Sequence, residues 1–338
     1  MLERLLSHPI IHIATIGAIL LGVFLCVFPD AVPPLSWVVN YAVQLMLFYL
    51  AAGLIVLFLK QPRLTFSFFG GCVLLCFYLK YSANMDGIER LRQQMVQGHK
   101  NDNDAPHIFI PDLKIAHINL TNVNSHEEVP TVVRAIGADI VFFHEVTPNW
   151  ETLLQDSFAH SHPFNHTMLD IGLYGMSVFS KFKLVDIDTL YFNEIPNLSG
   201  QVEVDKNSFS FLSIHTQPAL DEFSKKRLHE HLGLVEKKVA RTEGPMLVIG
   251  EFNAVSWSDQ IKVFLNQTNL MESRTGFMPT SVAGKISIWD LPLDHIFYSG
   301  EFICTNFQNI EGQLGQHLGI LGTYHFLKEH SHAKKTAQ

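Results

Sequence analysis

The chain has 338 residues, of which 47% are apolar and 17% are charged, and its formal net charge is −8. Its mean hydropathy of +0.16 is high for a soluble domain, and its charged fraction lies below the roughly 25% of an average one. So apolar a chain is not intrinsically disordered, and four cysteines in this length exclude a disulfide-stapled scaffold. A very apolar globular protein remains, or a membrane segment joined to an ordinary domain.

The first 80 residues decide between these two alternatives. Only three charged residues occur between positions 9 and 79. They are Asp30, Lys60 and Arg63, and they separate apolar runs at about residues 10–28, 37–59 and 64–79. A bilayer core requires roughly 20 helical residues, so the first two runs are long enough to span it and the third is marginal. We predict a membrane anchor with three transmembrane helices at residues 1–82.

The charges beside the spans predict their orientation. Lys60 and Arg63 lie between the second and third spans, whereas the loop after the first span carries only Asp30. Positively charged loops stay in the cytoplasm. We therefore expect the Lys60 loop inside and everything after the third span outside. In a bacterium, this orientation would place the domain after the third span on the periplasmic side of the inner membrane.

The composition changes after the third span. We predict a short helix and linker at 83–112, a folded domain at 113–328 and a flexible tail at 329–338. Residues 101–338 contain 17 Lys and Arg against 28 Asp and Glu, a formal net charge of −11. An acidic domain has no general attraction for a polyphosphate backbone. The charge therefore weighs against a nuclease that relies on a basic surface.

Strands alternate with helices along the predicted domain. We predict strands at 114–120, 139–144, 174–180, 209–215, 246–250, 294–298 and 324–327, and helices at about 125–136, 220–241 and 256–266. A mixed α/β pattern with several hairpins fits sheets that are covered by helices on their outer faces.

Polar residues recur where these predicted strands begin or end. They are Asn119, Glu145, His215, Glu251 with Asn253, Asp294 and His317. One such residue is best explained as a turn or a cap, but six strand edges with these residue types favour one shared site. Carboxylates and an amide suit Mg²⁺, which prefers oxygen ligands, and a histidine held by a carboxylate can supply a proton. The set supports phosphoester hydrolysis at a divalent cation.

Taken in order, these motifs resemble the endonuclease/exonuclease/phosphatase superfamily over about residues 115–327. The matching segments are the strands that carry Asn119 and Glu145, the run Tyr174-Gly-Met-Ser-Val-Phe-Ser-Lys181, Ile214-His-Thr216, Gly250-Glu-Phe-Asn253 and Leu293-Asp-His-Ile-Phe297. The resemblance implies an α/β fold, a four-layer sandwich of two packed mixed sheets flanked by helices. Three transmembrane helices would precede it, as in some bacterial members.

The resemblance also implies a role for each matching residue. It implies that Asn119, Glu145 and Gln316 bind Mg²⁺ or Mn²⁺, with Glu145 as the principal ligand. It implies six catalytic residues. His215 and Tyr174 would lie near the scissile phosphate, and Glu251 would align or deprotonate the attacking water. Asn253 would orient the phosphate or that water, and Asp294 would hold His317 against the phosphate.

Three positions depart from the family pattern. Glu251 and Gln316 each replace an aspartate, and Gly319 replaces a proline. The longer Glu251 moves its carboxylate outward by about 1.5 Å, and a misplacement of about 1 Å can lower a rate by roughly 10²-fold. Two functions therefore stay open. One is a metal-dependent phosphodiesterase, nuclease or phosphatase, and the other is a weakened or inactive domain that binds a phosphorylated ligand or a protein.

The expected partners are the membrane, through three spans, and a phosphoester substrate. That substrate would be a nucleic acid, a phospholipid headgroup or a small phosphate ester, and the acidic, tethered domain slightly favours the last two. We infer no stable protein partner.

Overall fold

We describe the protein from a computed structural model. The structure describes residues 8–82, 110–123, 125–170, 172–205, 207–219, 221–277, 290–312 and 317–326. The predicted short helix and most of its linker, Gln316 and the predicted tail lie outside these residues.

Three apolar helices form the N-terminal part of the chain, which we call the helical bundle (residues 9–82). They are α1 (Pro9–Val27), α2 (Ala42–Phe58) and α3 (Pro62–Ser82), and a 3-10 stretch at Pro33–Tyr41 leads into α2. All three are long and apolar enough to cross a membrane, with the 3-10 stretch counted together with α2. The third helix, whose apolar run is marginal in the sequence, reaches 21 residues because it also includes Arg63 and Lys80.

The rest of the chain folds into two mixed sheets. Their strands are β1 (Ile110–Asn119), β2 (Ile140–His144), β3 (Phe164–Met168), β4 (Met176–Ser180), β5 (Lys183–Phe192), β6 (Ile195–Val204), β7 (Asn207–His215), β8 (Met246–Glu251), β9 (Met271–Glu272), β10 (Asp294–Tyr298), β11 (Phe302–Glu311) and β12 (His317–Phe326). The first sheet has the order β11-β12-β1-β2-β4-β3, and the second has the order β5-β6-β7-β8-β10-β9. The pairs β1–β2 and β7–β8 are parallel.

Helices cover the outer faces of both sheets. They are α4 (Glu128–Ile136), α5 (Pro148–Phe158), α6 (Glu222–Arg241) and α7 (Asp259–Thr268). Phe142 of the first sheet and Phe211 of the second meet in the central core, with ring centroids 5.1 Å apart. Separate apolar clusters join α4 and α5 to the first sheet and α6 and α7 to the second. The predicted four-layer sandwich is confirmed.

The secondary structure differs from the sequence prediction at several elements. Strands β3, β5, β6, β9 and β11 and helix α5 were not predicted. The strand expected at 324–327 is the end of a ten-residue strand that starts at His317. Strand β12 lies between two neighbours and is buried on both faces. Its residues therefore lack the alternation of apolar and polar side chains that marks a half-buried strand.

The sandwich contacts one end of the helical bundle. The Trp257 indole Nε1 donates to the Val39 carbonyl at 2.8 Å, and the Tyr78 hydroxyl donates to the Trp257 carbonyl at 3.3 Å. Helix α2 has 17 residues, a length of about 25 Å, and it separates this end from the turn at Lys60. The sandwich and the Lys60 turn therefore lie at opposite ends of the bundle.

Candidate active site

Strand topology brings the predicted site residues to one edge of the sandwich. The β7–β8 register places His215 beside Glu251, and the β8–β10 register places Glu251 beside Asp294. In the other sheet, Asn119 is the last residue of β1, and Glu145 follows directly after β2, which runs parallel to it. The carboxyl ends of parallel neighbours meet at the same edge of a sheet. Both sheets thus contribute to one polar cluster.

Asn119 joins the two sheets at this edge. Its amide Nδ2 donates to Glu145 Oε1 at 2.9 Å and to Glu251 Oε2 at 3.0 Å. The Thr121 hydroxyl donates to the other oxygen of Glu145. Glu145 itself has a positive φ of 61°, a backbone state that is uncommon for a residue with a side chain and that clusters at functional sites. These contacts fix the position of the Glu145 carboxylate.

His215 lies between two aromatic rings beside the carboxylates. Its ring stacks on His144 with centroids 5.5 Å apart, and the edge of Tyr174 meets it at 5.3 Å. His215 Nε2 is 3.6 Å from Glu251 Oε2. The Tyr174 hydroxyl accepts a hydrogen bond from Gln217 Nε2 at 3.0 Å. Burial lowers the pKa of His215, although nearby carboxylates oppose that shift.

Asp294 and His317 form a buried pair. His317 Nε2 is 3.2 Å from Asp294 Oδ2, and His117 Nδ1 is 3.8 Å from the other carboxylate oxygen. Arg274 donates to the Asp294 carbonyl at 2.7 Å. Burial alone would raise the pKa of Asp294, but the hydrogen bond to His317 and the charges of His117 and Arg274 lower it to about 2. The carboxylate is therefore ionised at neutral pH.

Asn253 lies in the turn after β8. It has a positive φ of 50°, and its amide Nδ2 donates to the Thr216 carbonyl at 2.7 Å. Gly250, just before Glu251, has a φ of 140°, and a Cβ there would lie 2.0 Å from the Ile214 carbonyl oxygen. Only glycine allows this close approach of β7 and β8, which sets the spacing between His215 and Glu251.

The donor set fits a divalent cation. Donor atoms of Glu145, His215 and Glu251 all lie within 4.8 Å of one another. Burial raises the pKa of Glu251 to about 8, and the charges of Asp294 and Glu145 contribute to the same shift. Crowded, partly buried carboxylates of this kind are stabilised by a cation. His215, which the family resemblance implies at the phosphate, is close enough to serve as a ligand instead.

The structure brings eight of the nine sequence-predicted residues to this edge, and Gln316 lies outside the described residues. Sequence reasoning missed several neighbours: Thr121 at Glu145, His117 and Arg274 at Asp294, Gln217 at Tyr174, and His144, whose Nε2 is 2.7 Å from Ser213 Oγ. Thr121 carries a weak signal, because it follows a predicted ligand by two residues. His117 and His144 have none, since both stand inside apolar strand patterns.

Comparisons with known proteins bear on the family and the fold. The model of the Endonuclease/Exonuclease/phosphatase family matches residues 119–311. Among curated protein sequences, none matches the chain.

Solved structures show the same fold at low identity. An endonuclease/exonuclease/phosphatase from Beutenbergia cavernae is 15% identical with a TM-score of 0.54, and the match covers 64% of this chain and 72% of that one. Humanized TDP2 from D. rerio is 15% identical with a TM-score of 0.52, covering 63% and 98%. The mannosyl-6-phosphatase Bt3783 from Bacteroides thetaiotaomicron is 18% identical with a TM-score of 0.50, covering 63% and 99%.

Proposed function

The chain belongs to the Endonuclease/Exonuclease/phosphatase family, and we propose that it is a membrane-anchored, divalent-metal-dependent hydrolase of phosphoester bonds. The observation that carries the proposal is the meeting of Glu145, Glu251 and the Asp294–His317 pair at one edge of the sandwich. Neighbours of the same fold include a sugar phosphatase and TDP2 bound to a single-strand DNA product. Hydrolysis of a phosphoester is the chemistry that these neighbours and this set of side chains share.

Each side chain has a distinct part in the proposed reaction. Glu145 and Glu251 would hold Mg²⁺ or Mn²⁺. The Asn119 oxygen, which accepts from the Thr121 backbone N–H at 3.0 Å, has a second lone pair for the cation, and its Nδ2 holds both carboxylates. When bound, the cation neutralises phosphate charge and lowers the pKa of a coordinated water. Water adds to phosphorus, one ester P–O bond breaks, and the proton lost by the water ends on the departing alcohol.

The remaining residues orient the phosphate. The ionised Asp294 fixes the ring of His317, which would donate a hydrogen bond to a phosphate oxygen. His215 stacks on His144 and makes an edge contact with Tyr174, so its position beside Glu251 costs little ordering when substrate binds. Asn253 would contact the phosphate or the attacking water from the turn after β8.

We also propose an orientation for the chain in the membrane. Three helices are apolar enough to span it, and the positive Lys60 turn is at the end of the bundle away from the sandwich. The positive-inside rule then supports a sandwich on the extracytoplasmic side. A compartment-sensitive reporter fused after Gln338 tests this, because reporter activity confined to the cytoplasm would contradict it.

The competing function is a binding domain with little or no catalysis. Glu251 favours it, because the family has the shorter aspartate there and the added methylene shifts the carboxylate by about 1.5 Å. In that case the candidate site would bind a phosphorylated ligand or a partner protein without hydrolysing it.

Hydrolysis assays on the purified full chain in detergent distinguish the two functions. The substrates are bis(p-nitrophenyl) phosphate, a diester, and p-nitrophenyl phosphate, a monoester, each with and without Mg²⁺ or Mn²⁺. Metal-dependent turnover of either supports the hydrolase. No turnover, together with no metal binding by calorimetry, would overturn it.

A further inference from the structure

A cleft of about 510 Å³ lies between the helical bundle and the sandwich. One wall is the segment between α1 and α2, including Asp30 and Trp37, and the other is the start of α6, including Lys226. Asn253 also lines the cleft. The cleft is therefore bounded by the proposed membrane anchor, by a surface helix and by a residue of the candidate site.

The cleft adjoins the candidate site through the turn after β8. Asn253 lies two residues after Glu251, and its amide is bonded to the carbonyl of Thr216, the residue that follows His215. Asn253 is thus the candidate-site residue that lines the cleft, and a phosphate held there would lie beside the turn that follows Glu251.

The same turn is fixed to the bundle four residues later. Trp257 is fully buried and bonds to Val39, in the stretch that opens the second candidate span. Four residues of extended chain cover at most about 14 Å, so Asn253 lies within that distance of the bundle contact. The headgroup layer of a bilayer is itself about 5–8 Å thick on each side. A membrane that holds the bundle would have one of its headgroup layers on the side of the bundle that borders the cleft.

Exposed aromatic residues occur at this end of the bundle. Trp37 is 52% exposed, Phe28 is 56% exposed, and Phe223 in the first turn of α6 is 70% exposed. Trp is enriched at the interface between membrane and water, so Trp37 suits the bundle wall of the cleft to contact with the headgroup layer. Exposed Phe residues also occur beside the Lys60 turn, at Phe58 and Phe66, so Phe28 and Phe223 add apolar surface here without marking this end.

The charged residues of the cleft favour one kind of lipid headgroup. Lys225 Nζ bonds to Asp30 Oδ1 at 2.5 Å across the gap between bundle and sandwich. Lys226, whose side chain is 75% exposed and whose Nζ lies 3.8 Å from Glu230 Oε1, adds a cation. Glu222 and Asp259 add carboxylates. Mixed charge of this kind suits one phosphate beside a cationic group more than it suits a polyanion.

We propose that the cleft admits the headgroup of a phospholipid with a single phosphodiester, taken from the leaflet around the bundle, and presents its phosphate at Asn253. This substrate class rests on the proposed hydrolase function. The reaction would be the proposed phosphoester hydrolysis. Water adds to phosphorus, one P–O ester bond breaks, and a phosphate monoester and an alcohol form.

The test compares a membrane substrate with a soluble one. The full chain is placed in phosphatidylcholine nanodiscs, monoester formation is followed by ³¹P NMR, and bis(p-nitrophenyl) phosphate is assayed in parallel. The double variant Trp37→Ala/Lys226→Gln should lose at least tenfold of its rate on phosphatidylcholine and change less than twofold on the soluble ester. Lys237→Gln, on the exposed side of α6 outside the cleft, is the matched control and should change neither rate.

Three results separate this inference from the proposed function. Turnover of the soluble ester without turnover of phosphatidylcholine would overturn the lipid cleft and leave the hydrolase intact. Equal losses of the double variant on both substrates would also overturn the cleft. No turnover of either substrate would overturn the lipid cleft, and together with no turnover of p-nitrophenyl phosphate and no metal binding by calorimetry it would overturn the hydrolase as well.

A labelling experiment tests the cleft without relying on turnover. A phosphatidylcholine with a diazirine in its headgroup is photolysed in the nanodisc, and the labelled peptides are mapped by mass spectrometry. Label on the sandwich wall, at residues 225–229 or 253–254, is expected. Label confined to the helical bundle would contradict the proposal.

Discussion

His317 Nε2 lies 3.2 Å from Asp294 Oδ2, and the two residues open strands in different sheets, β12 and β10. The pair therefore connects the two halves of the sandwich at the edge where the other site residues meet. Burial opposes ionisation of Asp294, but its contacts lower its pKa to about 2. The imidazole of His317 consequently has a charged acceptor that fixes its ring.

Replacing this acceptor tests its positioning role. Asp294→Asn keeps the size of the side chain but removes the charge that orients His317, and we expect kcat to fall by roughly 10²-fold with a smaller change in KM. Steady-state kinetics on a soluble phosphodiester measure the effect. Asp156→Asn, at an exposed carboxylate on α5, is the control, and equal rates for the two variants would contradict the role.

The departure from the family at Glu251 can be tested by shortening the side chain. Glu251 Oε2 accepts a hydrogen bond from Asn119 at 3.0 Å, and an aspartate would withdraw the carboxylate by about 1.5 Å. Because the site is arranged around the longer residue, we expect Glu251→Asp to lower kcat/KM by about tenfold. An increase in kcat/KM would instead show that the natural glutamate weakens catalysis, in favour of the binding function.

The unfolding free energy should depend on pH through His231. This histidine of α6 stacks on Phe192 and bonds to Asn197 Oδ1 at 2.9 Å, and burial, with a smaller effect of the charge on His215, lowers its pKa to about 4. In the unfolded chain the pKa of this histidine is about 6.5. Between about pH 4 and pH 6.5 the unfolded state therefore binds more protons than the folded state. The contribution of His231 to the unfolding free energy is complete above about pH 6.5. It falls by about 3 kcal/mol as the pH decreases to 4.

Chemical denaturation of the full chain in detergent, from pH 7.5 to pH 4, measures this dependence. His231→Gln keeps a hydrogen-bonding group that does not titrate, so its unfolding free energy should fall less steeply with acid than that of the wild type. His160→Gln, at an exposed turn, should retain the wild-type slope. Parallel curves for His231→Gln and the wild type would rule out this explanation.

Two glycines provide a matched test of strand packing. Gly319 in β12 pairs with Ile118 on one side and Ile310 on the other, and a Cβ there would lie 1.9 Å from the His117 carbonyl oxygen. Gly319→Ala should therefore lower the unfolding free energy by about 1–3 kcal/mol. Gly233, in the middle of α6, has no atom within 4 Å of a Cβ, so Gly233→Ala should raise it by about 0.5–1 kcal/mol. If Gly319→Ala left the unfolding free energy unchanged, β12 and β1 would be able to move apart at little cost.

The sequence predicted the strands that carry the site better than the strands at the sheet margins. Asn119, Glu145 and Glu251 stand at the ends of short apolar runs, and this signal follows from burial on both faces. Strand β5 lies at a sheet edge, mixes exposed with half-buried residues and has a register shift near Asp186. That irregularity removes the alternating pattern on which a strand prediction depends.

Helix α5 was missed although its signal is in the sequence. Thr147 caps it by accepting a hydrogen bond from the Trp150 backbone, Pro148 stands at its first position, and Glu151 lies in its first turn. This is the usual start of a helix. The contact of Trp257 with Val39 has no such signal, because residues 218 positions apart meet only once the whole fold has formed.

The most direct test of the account is metal-dependent hydrolysis by the full chain and by Glu145→Gln. The substitution keeps the size of Glu145 but removes the charge that would hold the cation. Glu203→Gln, at an exposed ion pair with Lys183, is its control. We predict that the wild type and Glu203→Gln hydrolyse bis(p-nitrophenyl) phosphate only with Mg²⁺ or Mn²⁺, and that Glu145→Gln loses at least 10²-fold in rate and binds Mn²⁺ at least tenfold more weakly by calorimetry. Turnover that is independent of metal, or equal in Glu145→Gln and the wild type, would contradict the account.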